Sequence, residues 1–283
     1  MAILIGYFIV TASVLGGYVL SHGDLATLWQ PFELLIIGGA ALGNFVAANP
    51  PHLIKAVGRS VAGVIGRKKH SQETYMDLLA LLYELFNKAR RNGLMAIEED
   101  VEDPSASELF LRYPRITADQ QLLEFICDYL RIISTGNLSA FELETLMDQD
   151  IETSLEEAEL PGQALGKIAD ALPGFGIVAA VMGIVITMKS LGGPPEELGL
   201  HVAAALVGTF LGVLLAYGFV APLSTSMEHR ARESIKVLEC AKTAMLATVN
   251  GIPPQLAVEF GRKTLYSNER PTFIELEEHI RGR

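Results

Sequence analysis

Four stretches, residues 2–20, 34–49, 174–188 and 202–221, are apolar and almost free of charge. The chain between the second and third is charged and patterned for helices. A bilayer span takes roughly 17–25 apolar residues. The first and fourth stretches reach that length alone. The second and third are shorter, and each in isolation would suit a buried helix of a soluble domain. Four in one chain predict an all-α, polytopic membrane protein with four transmembrane helices and a helical cytoplasmic domain. The first stretch has no basic start and no small-residue cleavage site after it, so it is expected to stay as an anchor. Ser21-His22-Gly23-Asp24 reads as the turn that follows.

Within the long insert, Tyr75, Leu78, Leu79, Leu82, Leu85 and Phe86 recur at helical spacing and predict a helix that stops at Asn92-Gly93. A short helix is expected from Leu94 to before Asp103-Pro104. Another covers residues 117–134, with Leu122, Phe125, Ile126, Tyr129 and Ile133 on one face. A strongly acidic helix begins near Ser139 and runs toward the third span, with Pro161-Gly162 marking a possible break. In the tail, residues 224–249 continue the fourth span, and shorter helices cover 255–266 and 272–279. No strand is expected. The resulting segments are a transmembrane hairpin (1–50), a cytoplasmic helical domain (51–172), a second hairpin (173–222) and a cytoplasmic helical tail (223–283).

Charge sets orientation. Lys55, Arg59, Arg67, Lys68 and Lys69 follow the second stretch, and Arg230, Arg232 and Lys236 follow the fourth. The loop 21–30 has no Lys or Arg, and the loop 189–200 has only Lys189. By the positive-inside rule the long segments and both termini face the cytoplasm. The formal net charge of the chain is -11, and a run from Glu142 to Glu159 holds eight acids without a base. Nucleic-acid binding is thereby disfavoured. Cys127 and Cys240 fall in the predicted cytoplasmic segments, where thiols stay reduced. They read as small buried residues. No enzyme motif, metal-spaced His/Cys set or strand-following glycine loop is present, and Gly38-Gly39 and Gly192-Gly193 do not make one.

Small residues recur on the last two spans: Gly176, Ala180 and Gly183 on one, Ala204, Gly208, Gly212 and Ala216 on the other. Such faces admit close backbone approach, either between these two helices or around another chain. Thr209 lies deep in the fourth span. Its hydroxyl could return to the Ala205 carbonyl or line an ion path. Tyr217 and Asn44 are weaker candidates of the same kind, and His201 sits at the outer edge. Pro173 suits the first turn of a helix. Pro222, inside a continuous helix, would kink it and form a hinge. Arg90 and Glu98 bracket Gly93 among Lys88, Arg91, Glu99 and Asp100. By themselves these charges read as a solvated loop.

Several long runs change that balance. They are residues 75–83, 175–183, 208–212 and 258–266, the last continuing through 269–278. On these runs the chain resembles the MotA family, the larger stator subunits of the bacterial flagellar motor, along essentially its whole length. The resemblance implies a pentamer of this chain around two MotB copies, each of which supplies one membrane helix with an essential aspartate. It implies that Arg90 and Glu98 engage FliG on the rotor and that Pro173 and Pro222 link ion passage to motion. It also implies that Thr209 faces the partner aspartate, with Ala180 beside the path; Tyr217 joins them as a path-lining candidate on its place in the fourth span alone. The transported ion would be a proton, no cofactor would be bound, and the site would be the inner membrane. The spans, 34–49 included, would form an uncharged ring around a borrowed carboxylate. A related alternative is the ExbB/TolQ energisers, which are typically shorter with three spans.

Overall fold

The computed structural model describes residues 2–66, 69–189, 192 and 194–281, and every regular element among them is helical. In chain order the α-helices are α1 (Ala2–Leu20), α2 (Leu25–Leu28), α3 (Pro31–Ala48), α4 (Pro51–Ile65), α5 (Gln72–Asn92), α6 (Glu98–Glu102) and α7 (Glu108–Leu111). They continue as α8 (Pro114–Thr117), α9 (Gln120–Thr135), α10 (Ala140–Met188), α11 (Pro195–Val213), α12 (Ala221–Val249), α13 (Pro254–Thr264) and α14 (Phe273–Arg281). A 3-10 turn, Leu94–Ile97, precedes α6, and a π-helical segment, Leu214–Val220, joins α11 to α12.

The chain forms two compact units. The first comprises Met1–Arg67 and Ala158–Arg230, and the second Lys68–Glu157 and Ala231–Arg283. Among the described residues, four helices are long and apolar enough to cross a membrane: Ala2–Leu20, Leu25–Ala48, Ala140–Met188 and Leu198–Val249. The first unit holds the apolar stretches. Its buried centre is small, built on Ile37, Ala41, Leu172, Ala179 and Ala216. Large side chains such as Phe8, Leu35 and Val181 face outward, as lipid allows and water does not. Helix α4 adds an amphipathic face, with Val57 in one cluster beside Phe45 and Ala164 and Val64 in another beside Leu165 and Met227. That helix was not expected from the sequence, although Leu53, Val57, Val61 and Val64 carry its period.

The second unit is organised around α5. A capping box opens this helix, with Thr74 Oγ1 accepting from the Ser71 N–H at 3.3 Å. It ends at Gly93, whose φ of 87° a side chain would resist. Tyr75, Leu78, Leu79, Leu81, Leu82 and Leu85 are essentially lost from solvent, and α13 and α14 pack against them. At Gly261 an added Cβ would lie 2.8 Å from the Cys240 carbonyl oxygen, so α12 and α13 meet backbone to backbone. Cys127 and Cys240 are buried free thiols, and burial pushes Cys240 up to about 12.

Two proline expectations are corrected. Pro161-Gly162 does not break α10, a continuous helix of 49 residues with both Pro161 and Pro173 inside it. Ser224 Oγ donates to the Gly162 carbonyl at 2.8 Å in a buried position and secures the backbone beside the proline. Pro173 therefore lies mid-helix rather than in a first turn. Arg67 and Lys68 of the expected basic cluster lie outside the described residues, as does Gly193 of the Gly192-Gly193 loop.

Candidate functional site

In the first unit, α10 and α11 touch through their glycines. A Cβ on Gly176 would fall 2.9 Å from the Gly208 carbonyl oxygen and 3.1 Å from Gly212 Cα. One on Gly212 would meet the Leu172 carbonyl oxygen at 2.8 Å and Gly176 Cα at 2.9 Å. One on Gly183 would meet Ala205 Cβ at 2.8 Å. The small-residue faces read from the sequence thus pack on each other, and no larger residue fits there without moving backbone. Ala180 is buried in this seam, with its amide nitrogen 3.3 Å from the Cβ position of Gly208.

Thr209 follows Gly208 directly and is half-buried. Thr187 returns its hydroxyl to the Gly183 carbonyl at 2.8 Å. Among the described residues Thr209 makes no such bond to Ala205, which leaves its hydroxyl able to meet another group. Tyr217 is exposed and sits inside the π-helical segment. Asn44 is exposed as well.

Pro222 enters α12 just after that segment. A proline lacks the N–H that an α-helix needs four residues on. The irregularity is spread over Leu214–Val220, and the Ala221 N–H reaches back to the Ala216 carbonyl. The Tyr7 hydroxyl donates to the Phe219 carbonyl at 2.7 Å and binds α1 to the widened turn. The expected kink point is thus a π segment ending at the proline, and such segments recur at functional sites.

One residue went unnoticed. Helix α3 begins at Pro31, so Glu33 lies in its first turn and not outside it. Glu33 is buried, with 9% of the residue left exposed. Oε2 has no hydrogen-bond partner and lies 2.9 Å from the Cβ position of Gly208. The membrane spans of this chain are therefore not uncharged: one of them places its own carboxyl in the layer of Ala180, Gly208 and Thr209. Starting the apolar stretch at Leu34 hid it. The glutamate inside an otherwise charge-free run was the available signal.

In the second unit the charged set around Gly93 separates into two kinds. Lys88 Nζ meets the buried Asp100 at 2.6 Å, and Ser107 Oγ donates to the same carboxylate at 2.7 Å. Arg90, Arg91, Glu98 and Glu99 are exposed, and none makes an ion pair among the described residues. The first kind holds the turn, and the second is free for another surface. The signature run at 258–278 is structural here. Arg262 is buried, pairs with Glu259 at 2.7 Å and donates to the Pro271 carbonyl at 2.7 Å. It thereby fixes the lead-in to α14, against α5.

The family model "Motility protein A N-terminal" matches residues 4–93, and that for the "MotA/TolQ/ExbB proton channel family" matches residues 118–240. Motility protein A of Salmonella typhimurium is 52% identical over 282 residues, which covers 100% of this chain and 96% of that protein. The chain belongs to the motility protein A family. The Escherichia coli member is 50% identical, also over 282 residues, again 100% of this chain and 96% of the relative. Among solved structures, C. jejuni MotAB aligns with a TM-score of 0.76 at 18% identity, covering 96% of this chain and 98% of that one. The flagellar MotAB stator complex from Bacillus subtilis aligns at 0.71 with 23% identity, over 90% and 92% of the two chains. These two likenesses establish the motility protein A fold.

Proposed function

We propose that this chain is the ion-channel-forming stator subunit of a bacterial flagellar motor, working in the inner membrane with a single-span MotB partner. The observation that carries the reading is the 52% identity to a motility protein A over the full length of this chain. The exposed, unpaired Arg90 and Glu98 and the glycine seam beside Thr209 agree with it. In this reading five copies surround two MotB helices, and the short loops face outward with both termini in the cytoplasm. Protons enter from outside, neutralise the MotB aspartate near Thr209 and Ala180, and leave to the cytoplasm. Neutralisation removes the cost of holding that charge in hydrocarbon, so helix contacts change. The π segment and Pro222, with Pro173 on α10, carry the change onward, and Tyr217 lines the path.

Arg90 and Glu98 then pass opposite charges on the rotor protein FliG. One charge crossing about 100 mV supplies about 2.3 kcal/mol. Surface ion pairs worth roughly 0.2–1 kcal/mol each can be made and broken within that supply. The test is charge reversal, Arg90→Glu and Glu98→Lys, followed by swarming and single-motor torque. Both variants should lose most torque with the complex still assembled. Unchanged motility in both sinks the rotor-facing assignment. Motility measured against external sodium at fixed potential checks the choice of proton.

A further inference from the structure

Glu33 is the one buried carboxyl of the first unit among the described residues. Its Oε2 is pressed into the notch that Gly208 leaves open, where the Cβ position also meets Ala179 Cβ at 3.2 Å and the Ala180 nitrogen at 3.3 Å. Among the described residues no donor reaches that oxygen. An ionised carboxylate held this way costs several kcal/mol, whereas the neutral acid does not. Gly208 is what admits it. A side chain at that position would fill the space that Oε2 occupies.

We propose that Glu33 is a proton-binding site of this chain, an in-chain carboxyl that takes up a proton arriving from outside and passes it on within the layer of Ala180, Gly208 and Thr209. The carboxylate gains a proton to become the neutral acid and loses it to become the anion again. No other bond changes. The part concerning direction rests on the stator reading and its orientation. The ligand is a proton rather than a metal cation. Hard cations take about six oxygen ligands, and the notch around Oε2 presents the Ala179 methyl and the glycine backbone. Structural use is disfavoured by the same chain: among the described residues its other buried carboxylates, Asp77 and Asp100, have cationic partners, Arg115 and Lys88, within 2.8 Å.

The experiment uses the full complex, with this chain co-expressed beside a partner whose channel is held open, and reads proton influx with a pH-sensitive dye. Glu33→Gln keeps the shape and cannot cycle a proton. Influx should fall at least tenfold at equal amounts of assembled complex, and Glu33→Asp should recover part of it. Influx within twofold of wild type in assembled Glu33→Gln overturns the proposal. A second measurement serves if that variant fails to assemble. A hydrophobic carbodiimide, which reacts with protonated carboxyls, is applied to the wild-type complex across a pH series and read by mass spectrometry. Labelling of Glu33 that rises as pH falls supports the site, and absence of labelling at every pH overturns it. If the wild-type complex passes sodium and not protons, the coupling-ion reading fails instead, and the labelling series alone decides Glu33.

Discussion

Asp77 in the second unit and Glu33 in the first are both carboxylates removed from water, and their surroundings are opposite. Asp77, 1% exposed at its side chain, receives Arg115 at 2.8 Å on one oxygen and His279 at 3.1 Å on the other. Glu33 has an oxygen with no partner. A buried charge with its counter-charges is architecture, since removing one partner leaves the other stranded. A buried acid without them is held at a cost, and titratable groups kept that way cluster where protons or ions are handled. The contrast separates a scaffold that fixes charges from a membrane unit that leaves one adjustable.

The strongest way to break this comparison is to strip Asp77 of its arginine. Arg115→Ala should cost the second unit about 3 kcal/mol, and the Arg115 guanidinium is raised further above its usual range by its hydrogen bond to Asp77. Amide exchange in α5 near Leu78–Phe86 should speed up about a hundredfold, since each 1.4 kcal/mol is about tenfold. Glu33→Gln, by contrast, should leave resistance to unfolding equal or greater, measured by thermal melting in detergent. A loss as large as that of Arg115→Ala would show Glu33 to be structural after all.

Next in size is the seam that shelters Glu33. Gly212→Ala places a methyl 2.8 Å from the Leu172 carbonyl oxygen and 2.9 Å from Gly176 Cα, both backbone atoms that cannot turn aside. A loss of about 1–3 kcal/mol is expected, read as a lower melting temperature of the assembled complex. Gly58→Ala has open space around its Cβ and serves as the control, with little change. Equal melting of the two variants would mean that the α10–α11 contact is loose.

Much of this arrangement was legible because period and composition agree with packing. The apolar repeat of α5, its glycine stop and the small-residue faces of the last two spans all appear where the residues place them. Four features were not legible, for different reasons. Glu33 was lost because an apolar run was started where the charge ended, although helices begin at caps and prolines such as Gln30-Pro31. Pro161 and Pro173 looked like breaks or starts because local rules ignore neighbours, whereas Ser224 and the glycine seam hold the helix through them. The π segment before Pro222 has no local code that α-helical spacing would reveal. The separation of Lys88 and Asp100 from Arg90 and Glu98 needed three dimensions, since the intervening Gly93 turn decides which charges meet.

A gentler probe uses acid. Asp119 meets His70 at 2.7 Å and Lys69 at 3.0 Å. Burial alone would push its carboxyl up, and these hydrogen bonds and charges override it and hold Asp119 at about 2. The folded value lies below the unfolded one of about 4, so its contribution is full above about pH 4 and is lost as pH falls toward 2. Wild type should therefore exceed Asp119→Asn in stability at neutral pH, and the gap should close across that window. A gap that stays constant down to pH 2 would show the pairing contributes nothing.

The smallest expected effect is also informative. Arg90 and Glu98 touch no partner among the described residues, so truncation to Ala should alter stability by no more than about 0.5 kcal/mol. Lys88→Ala should cost more, because it strands the buried Asp100 against Ser107 alone. Melting of the three variants side by side distinguishes charges that hold the Gly93 turn from charges left for another surface. Destabilisation by Arg90→Ala or Glu98→Ala comparable to that of Lys88→Ala would return them to the scaffold and remove the structural ground for the rotor role proposed for them.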